Sequence, residues 1–431
     1  MPRTGQNAPG RGERVALYSH DALGLGHMRR NLAIAEALAR TGSHPVLLIA
    51  GAREATAFPM PPGVDCVALP ALRKRSNGRY APRSLDLPLE SLIGLRSRTI
   101  HAALDSFVPE ALIVDKVPLG LGRELEPSLK ALRAAGRARL VLGLRDVLDA
   151  PATARREWRM MDSDAVVRKL YDNVWVYGDR RVYDPVVEYR FSHDVAAKVR
   201  YTGYLDRHAS GEPGRTEDSE SLRRMELPAG RLWLCLVGGG EDGYRLAEAF
   251  ARVDFPEDAS GAIVAGPFMS YREMRELRRL AHESSRLGLL EFVEEPGGLI
   301  DQADSVVAMA GYNTTCELLS LRKRALVVPR ITTRREQLIR AERMRDLGLL
   351  EVLHPDRLSP AALTEWLLAG PAADRPDATR IDMGGLDRIP ELLDEVLLRG
   401  RALRRRTGWR RTSPTAGSRK RRAAASGVGK M

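Results

Sequence analysis

One histidine stands where it could move a proton. His27 lies in GLGHMRR, at the end of a glycine loop and the predicted start of a helix. The helix dipole there lowers the affinity of the imidazole for a proton, and a neutral imidazole in a cleft is a suitable general base for a hydroxyl or a water. Beside it, Arg29 and Arg30 could hold a phosphate or a carboxylate. A histidine that only caps the helix fits the pattern equally well.

Two further charged positions end predicted buried strands. Asp115 closes the run ALIVD, and Arg145 closes the run LVLGLR. The carboxyl ends of parallel strands are where ligands sit in such sheets. These side chains could therefore orient His27 or bind acceptor hydroxyls. A structural ion pair between Asp115 and the adjacent residues Arg145 and Asp146 is an equal alternative.

The stretch 306–340 predicts a different chemistry. An apolar strand is followed by a turn at Gly311 and Asn313, and then by a helix that opens at Thr314 and carries Glu317 in its first turn. Backbone N–H groups at a helix start attract anions, whereas Glu317 would repel a phosphate and suits sugar hydroxyls. The stretch therefore predicts a site for a ligand with both phosphates and hydroxyls, such as a nucleotide-sugar. An ordinary βαβ connection with capping residues is the alternative.

Glycine loops follow the first predicted strand in each half of the chain. One is the loop before His27, and the other is GGGEDG at 238–243. Glycine allows positive φ and lets backbone N–H groups approach a ligand closely. Neither loop has the GK[ST] ending of a Walker motif or fits GxGxxG well. The pair, in two similar halves, indicates a ligand cleft between them.

Strands and helices alternate through both halves. The first unit is predicted as strand 14–20, helix 31–40 and strand 44–50, and the nearly all-apolar strands predict parallel sheets covered on both faces. The predicted fold class is α/β, with two Rossmann-like parallel-sheet domains facing a cleft. The predicted divisions are a disordered N-terminus (1–12), an acceptor-side domain (13–204), a linker (205–229), a nucleotide-sugar-binding domain (230–385), a helix (386–400) and a disordered basic tail (401–431).

Charge is distributed unevenly along the 431 residues. The net charge is +12, and twelve Lys and Arg residues with no Asp or Glu follow position 395, so residues 1–395 are neutral overall. Specific nucleic-acid binding is therefore not expected. The tail could contact anionic lipid head groups, although a solvated tail is the simpler interpretation. We found no signal peptide and no apolar window of about 18 residues, and the three cysteines lack disulfide or metal spacing. We expect a cytoplasmic protein, with peripheral contact at the inner face of a membrane as an option.

These loops resemble those of the GT-B glycosyltransferases. The similarity is to the branch that shares its family 28 C-terminal domain with the bacterial enzyme adding N-acetylglucosamine to the peptidoglycan lipid intermediate. It spans most of residues 14–395 and is strongest from EFVEEPGGLIDQADSVVAMAGYNTTCE to Gln337. Relatives usually carry Gly and Pro at the positions of Arg322 and Arg324. The turn geometry at these positions is therefore where this chain is expected to differ from them.

The resemblance implies roles for individual residues. The backbone of Val293 would meet a uracil-type base, Glu317 would bind the ribose hydroxyls, and Glu336 and Gln337 would touch the transferred sugar. In the N-terminal domain, His27 would be the base. Gly239 and Gly240, helped by Thr314, would cradle the diphosphate, and Gly24, Gly26 and Arg30 belong to the matching N-terminal loop. The strand-end residues Asp115 and Arg145 and the turn residues Gly311 and Asn313 complete the predicted site from the sequence pattern.

The resemblance implies a reaction without a cofactor or a bound metal. A hexose-type sugar would move from a UDP-type donor to an unidentified lipid-linked, polysaccharide or small-molecule acceptor. A nucleotide-sugar hydrolase, for which water is the acceptor, is one alternative. A non-catalytic nucleotide-sugar-binding partner protein is another.

Overall fold

The computed structural model describes most of the chain. The described residues are 12–20, 26–42, 44–51, 55, 58–74, 80–208, 222, 224–370 and 378–406. Gly24, nearly all of the predicted N-terminal segment, much of the predicted linker and most of the predicted tail lie outside these residues.

A parallel sheet forms the centre of the N-terminal domain. Its strands are β1 Val15–Ser19, β2 Val46–Ala50, β3 Val64–Ala68, β6 Ala111–Asp115, β7 Arg139–Arg145, β8 Asn173–Tyr177 and β9 Val199–Tyr201, while β4 Leu72–Lys74 and β5 Tyr80–Pro82 pair as an antiparallel hairpin. Within the described residues the sheet has the order β3-β2-β1-β6-β7-β8-β9. β1 and β6 are buried along their whole length, as expected for strands covered on both faces.

Helices cover both faces of this sheet. They are α1 Gly26–Gly42, α2 Leu89–Phe107, α3 Glu126–Ala135, α4 Pro151–Met160, α5 Ser163–Leu170, α6 Pro185–Glu188 and α7 His193–Ala196. The prediction that α1 begins at residue 31 was wrong, because the helix begins at Gly26. Met28 and Leu32 are both buried and extend the apolar stripe of the helix back by one turn. His27 therefore belongs to the first turn of α1.

The C-terminal domain repeats this architecture. Its strands are β10 Arg231–Leu236, β11 Ala259–Val264, β12 Leu287–Leu290, β13 Ser305–Ala308, β14 Ala325–Val327 and β15 Glu351–Val352, and its helices are α8 Tyr244–Ala251, α9 Tyr271–His282, α10 Gly297–Gln302, α11 Tyr312–Ser320, α12 Glu336–Asp346 and α13 Pro360–Leu368. In the described chain all six strands are parallel, in the order β12-β11-β10-β13-β14-β15. A capping box between Ser270 and Glu273 fixes the start of α9.

The last helix returns to the N-terminal domain. This helix, α14, spans Gly385–Arg406 and so continues beyond the predicted end at residue 400. Its buried residues Ile389, Leu393 and Val396 belong to the same apolar cluster as Ile34 and Leu38 of α1. The chain therefore crosses between the domains twice, and packing on α1 ties its C-terminal part to the helix that carries His27.

Helix α11 ends in a turn where an arginine adopts the left-handed conformation. Arg322 has a φ of +49°, and its N–H donates to the Leu319 carbonyl at 3.1 Å, while the N–H of Lys323 donates to the Leu318 carbonyl at 3.0 Å. The turn geometry is thus formed without the glycine expected from the resemblance. A residue with a Cβ pays roughly 1 kcal/mol for this conformation relative to glycine.

We expect Arg322→Gly to raise the free energy of unfolding by up to about 1 kcal/mol, because glycine removes the steric cost at a positive φ. Urea denaturation measures the change. Arg322→Ala is the control, since it removes the same exposed guanidinium and keeps the Cβ. If alanine stabilised the protein as much as glycine does, the backbone explanation would be wrong.

Candidate active site

A cleft of about 340 Å³ lies between the carboxyl ends of the two sheets. The predicted site residues that line it are Gly26, His27, Arg30, Arg145, Gly239, Gly240, Val293, Gly311, Asn313, Thr314, Glu336 and Gln337. Asp115 lies behind His27, Glu317 is buried away from the lining, and Gly24 is outside the described residues. The topology brings these residues together because the strands of each sheet are parallel and end at the same edge.

His27 is held by a buried carboxylate. Its Nδ1 lies 2.5 Å from Asp115 Oδ2, and Arg30 Nη2 donates to Asp115 Oδ1 at 2.7 Å. The Asp115 side chain is fully buried, and although burial alone would raise its pKa, Arg30 and His27 hold that pKa below its usual range. Arg30 Nη2 also lies 2.9 Å from Nδ1, but the shorter contact of Nδ1 is to Asp115, whose ionised carboxylate can only accept hydrogen bonds. Nδ1 therefore carries the proton, and Nε2 keeps its lone pair. Asp115 therefore orients His27, one of the two predicted options.

Burial lowers the pKa of His27 to about 3, against the opposing effect of Asp115. The neighbouring cations Arg30 and Lys116 push the pKa in the same direction as burial. The imidazole is consequently neutral at physiological pH and can accept a proton at Nε2. Its setting is the one that general-base chemistry requires.

The alternative ion pair between Asp115 and Arg145 with Asp146 does not form. Asp115 bonds His27 and Arg30, whereas Asp146 forms a bidentate pair with Arg340 of the other domain, at 2.7 Å from Nε and 2.6 Å from Nη2. Both side chains of that interdomain pair are almost fully buried. The Arg340 pair joins the end of β7 to α12 and holds the two walls of the cleft together.

The glycine loop after β10 folds closely against its own domain. Gly238 and Gly240 have φ values of +64° and +88°, and a Cβ on Gly240 would lie 2.4 Å from the Ala265 carbonyl oxygen. The Gly239 carbonyl accepts from the Phe268 N–H at 2.9 Å. Glycine is therefore required at position 240 by both the conformation and the close approach. The loop lines the cleft beside the start of α11.

The first turn of α11 directs its backbone toward the cleft. Gly311, Asn313 and Thr314 line the cleft, and N–H groups in a first turn have no partner within their own helix. Such a helix start favours an anion. The Asn313 Nδ2 donates to the Gly26 carbonyl across the cleft at 3.1 Å. The start of α11 and the start of α1, which carries His27, are therefore in direct contact.

Arg29 occupies the position that the resemblance implies for the uracil-type base of the donor. Its Nη2 donates to the Val293 carbonyl at 2.9 Å, and its guanidinium lies 5.9 Å from the centre of the Phe292 ring. Glu317 is close enough to Arg29 to interact electrostatically and is only 5% exposed. Burial raises the pKa of Glu317, partly offset by Arg29 and Arg207. In this structure Glu317 does not line the cleft itself and lies beside Arg29, which does.

One carboxylate oxygen of Glu336 has no hydrogen-bond partner among the described residues. Arg330 Nη2 donates to its Oε1 at 2.6 Å, while its Oε2 is buried and bonds no described residue. Burial opposes ionisation, but Arg145, Arg330 and Arg340 hold the pKa of Glu336 below its usual value. The adjacent Gln337 accepts from the Arg330 N–H at 3.0 Å, which leaves its amide nitrogen to donate. This pair can therefore accept from and donate to a hydroxylated ligand.

Sequence reasoning missed several charged residues of the cleft. Lys116 follows Asp115 directly and lines the cleft, as do Arg330 and Arg334. The position of Lys116 at a strand end was the available signal. Arg334 donates to Asp149 and Glu157 of the N-terminal domain, so it contributes a second link between the walls.

Neither membrane-spanning helices nor metal clusters occur in the part of the chain that the structure describes. No described helix is long and apolar enough to cross a membrane. No three His, Cys, Asp or Glu side chains among the described residues come together to hold a metal ion. Cys66, Cys235 and Cys316 form no disulfide bond.

Several solved structures similar to this chain are glycosyltransferases. No protein-family model matches the chain, and no curated protein matches it. The calicheamicin glycosyltransferase is similar with a TM-score of 0.57 and 16% identity over 90% of this chain and 99% of its own. MurG of Acinetobacter baumannii gives 0.54 and 14% over 89% and 99%, and a UDP-glucose:anthocyanidin 3-O-glucosyltransferase in complex with UDP gives 0.56 and 12% over 91% and 98%. The chain therefore has the two-domain fold of the GT-B glycosyltransferases.

Proposed function

We propose that the protein is a glycosyltransferase that moves a hexose-type sugar from a UDP-type nucleotide-sugar to a hydroxyl acceptor. The observation that carries the proposal is the buried His27–Asp115 pair, which faces the start of α11 across the cleft. A proton acceptor on one wall and an anion-binding helix start on the other are what sugar transfer from a diphosphate requires. The UDP complex among the similar structures supports the choice of nucleotide.

In the proposed reaction His27 Nε2 takes the proton of the acceptor hydroxyl. The acceptor oxygen forms a bond to the anomeric carbon, and the bond from that carbon to the diphosphate oxygen breaks. The nucleoside diphosphate leaves with the electron pair. Asp115 keeps Nδ1 protonated and stabilises the imidazolium that forms, which is the orienting role of a carboxylate behind a catalytic histidine.

Donor binding is assigned to the C-terminal domain. The first-turn N–H groups of α11 and the Gly239-Gly240 loop would hold the diphosphate, and Glu336 Oε2 would accept a sugar hydroxyl. For a base to use the Val293 backbone, Arg29 must release the Val293 carbonyl. That release would also free Glu317 to meet the ribose. We further propose that this domain is of the family 28 type, which the similarity to MurG supports.

Nucleotide release tests the proposal. The protein is incubated with UDP-glucose, UDP-galactose and UDP-N-acetylglucosamine, with and without an extract of cell lipid and polysaccharide, and with GDP-mannose as the donor control. We expect release of UDP that requires the extract, and no release of GDP from GDP-mannose. Release into water alone would instead indicate a hydrolase, and binding without release a nucleotide-sugar sensor. Failure to bind any of these donors would refute the proposed function.

A further inference from the structure

Two cations of the N-terminal domain face the cleft without a direct hydrogen bond or ion pair to a described residue. Lys116 follows β6, and Arg145 ends β7. Neither side chain forms a hydrogen bond or an ion pair with another described residue, and Arg145 Nε is buried without a partner. By contrast, Arg30 is paired with Asp115 and Arg334 with Asp149 and Glu157. Lys116 and Arg145 therefore keep their hydrogen-bond donors available to a ligand, although Glu336 attracts both charges.

The backbone at Lys116 is unusual for a residue with a side chain. Its φ is +67°, and its N–H donates to the Gly143 carbonyl of β7 at 2.8 Å. Non-glycine residues adopt this conformation rarely, and such residues cluster at ligand sites. The hydrogen bond to β7 fixes Lys116 beside the strand that carries Arg145, so the two cations belong to neighbouring strand ends.

Three of the six cations that line the cleft are already in ion pairs with carboxylates. Six cations line the cleft, namely Arg29, Arg30, Lys116, Arg145, Arg330 and Arg334, against the three carboxylates Glu241, Asp242 and Glu336. Arg30 is paired with Asp115, Arg334 with Asp149 and Glu157, and Arg330 with Asp242 and Glu336. Lys116 and Arg145 have no such direct ion pair among the described residues. Burial lowers the pKa of Lys116 to about 7, and the positive charge of Arg145 adds to the effect. A bound anion would relieve this repulsion.

We propose that Lys116 and Arg145 form a subsite for an anionic group, a phosphate or a carboxylate, carried by the acceptor. The inference rests on the proposed function, which places the acceptor hydroxyl at His27. Lys116 is adjacent in sequence to Asp115, the partner of His27, and both cations lie on the wall opposite α11. The acceptor class is then a hydroxylated anion, such as a sugar phosphate or a sugar acid.

Calorimetric titration tests the subsite on the whole protein. Glucose 6-phosphate, glucuronate and glucose are titrated with and without saturating UDP. We expect at least one anion to bind in the presence of UDP at least about tenfold more tightly than glucose, because hydrogen bonds between charged groups are worth that much. The two anions distinguish a phosphate from a carboxylate subsite.

Variants assign the binding to these residues. K116Q/R145Q should weaken anion binding by about tenfold or more and leave the Kd of UDP within about threefold. R156Q/K169Q makes the same change of charge at two exposed positions of the same domain and should leave both affinities unchanged. Melting temperatures show whether each variant is folded. The single variant K116R, which keeps Arg145, should retain most of the anion binding.

A pH series separates Lys116 from Arg145. Since the pKa of Lys116 is about 7, its positive charge is complete below this pH and is lost as the pH rises through it. Glucuronate affinity should therefore fall between pH 6 and pH 9 in the wild-type protein. K116R should show no such fall, because arginine stays charged over this range.

Three outcomes would overturn the inference. Anions could bind no better than glucose, or the double variant could bind them as well as the wild type does. The affinity for UDP could also fall as much as that for the anions, and the cations would then be donor-diphosphate ligands. If UDP itself does not bind, the proposed function fails, and the titrations without UDP still report on the anion subsite.

Discussion

Replacing His27 with glutamine is expected to lower the turnover number for sugar transfer by about 10²- to 10⁴-fold, the usual contribution of a general base. Glutamine can still donate a hydrogen bond to Asp115 but cannot take a proton from the acceptor. The proposed donor site is on the other wall of the cleft, so the Kd of UDP should stay within about threefold. Initial rates of UDP release with a saturating acceptor extract measure the loss.

His193→Gln is the matched control, because His193 lies in the same domain and its side chain is 99% exposed. It should retain full turnover. If His27→Gln also kept full turnover, the assignment of His27 as the base would be refuted. Asp115→Asn should lose activity as well, because an asparagine can donate to Nδ1 and favour the wrong tautomer.

The pH dependence adds an independent test of His27. Its pKa is about 3 because burial disfavours the charged ring, so the base form is present at every pH above that value. The profile of kcat/KM, which reports the free protein, should therefore not fall on account of His27 between pH 8 and pH 5. A donor diphosphate brings negative charge near the ring and favours imidazolium. We thus expect the acid limb of kcat to lie at a higher pH than that of kcat/KM.

The sequence could predict the parts of the site that depend on local pattern. Apolar runs placed Asp115 and Arg145 at strand ends, and parallel strands bring such ends to one edge. The glycine loop placed His27 at a helix start, although Met28 shows that the apolar stripe begins earlier than residue 31. These inferences needed no knowledge of distant contacts.

Long-range contacts account for what the sequence could not predict. Which face of α11 is buried decides whether Glu317 lines the cleft, and Glu317 is 5% exposed beside Arg29 of the other domain. Likewise, the partner of Arg340 is 194 positions away, so no local pattern could distinguish a buried interdomain arginine from an exposed one. The helical spacing of α12 shows several arginines and does not identify the buried one.

Replacing Arg340 with methionine is expected to lower the free energy of unfolding by about 3–5 kcal/mol, because it leaves the buried Asp146 carboxylate without its charged partner. Burial alone would lower the pKa of Arg340, but Asp146 holds it above its usual value, so the pair is mutually stabilised as ions. After the substitution, Tyr204 still donates to Asp146 Oδ2 at 3.0 Å and cannot replace a bidentate guanidinium. Urea denaturation measures the change.

Because Arg340 lies between the domains, its replacement should also affect the candidate active site. Its Nη1 also donates to the Ala310 carbonyl at 3.1 Å, immediately before the first turn of α11. Arg340→Met should therefore weaken UDP binding and increase the radius of gyration in X-ray scattering, as the walls of the cleft separate. Arg343→Met is the matched control, because Arg343 lies on the same helix and pairs across the same interface with Glu188, but both side chains are partly exposed.

The control should cost at most about 1 kcal/mol, since exposed ion pairs contribute little. Equal losses in the two methionine variants would contradict the role assigned to the buried pair. The double replacement Asp146→Leu with Arg340→Met should recover part of the stability, because the cost of the single change comes from an unpaired buried charge and an apolar pair leaves none. If recovery of stability came without recovery of UDP binding, the pair would be needed to align the walls of the cleft as well as to join them.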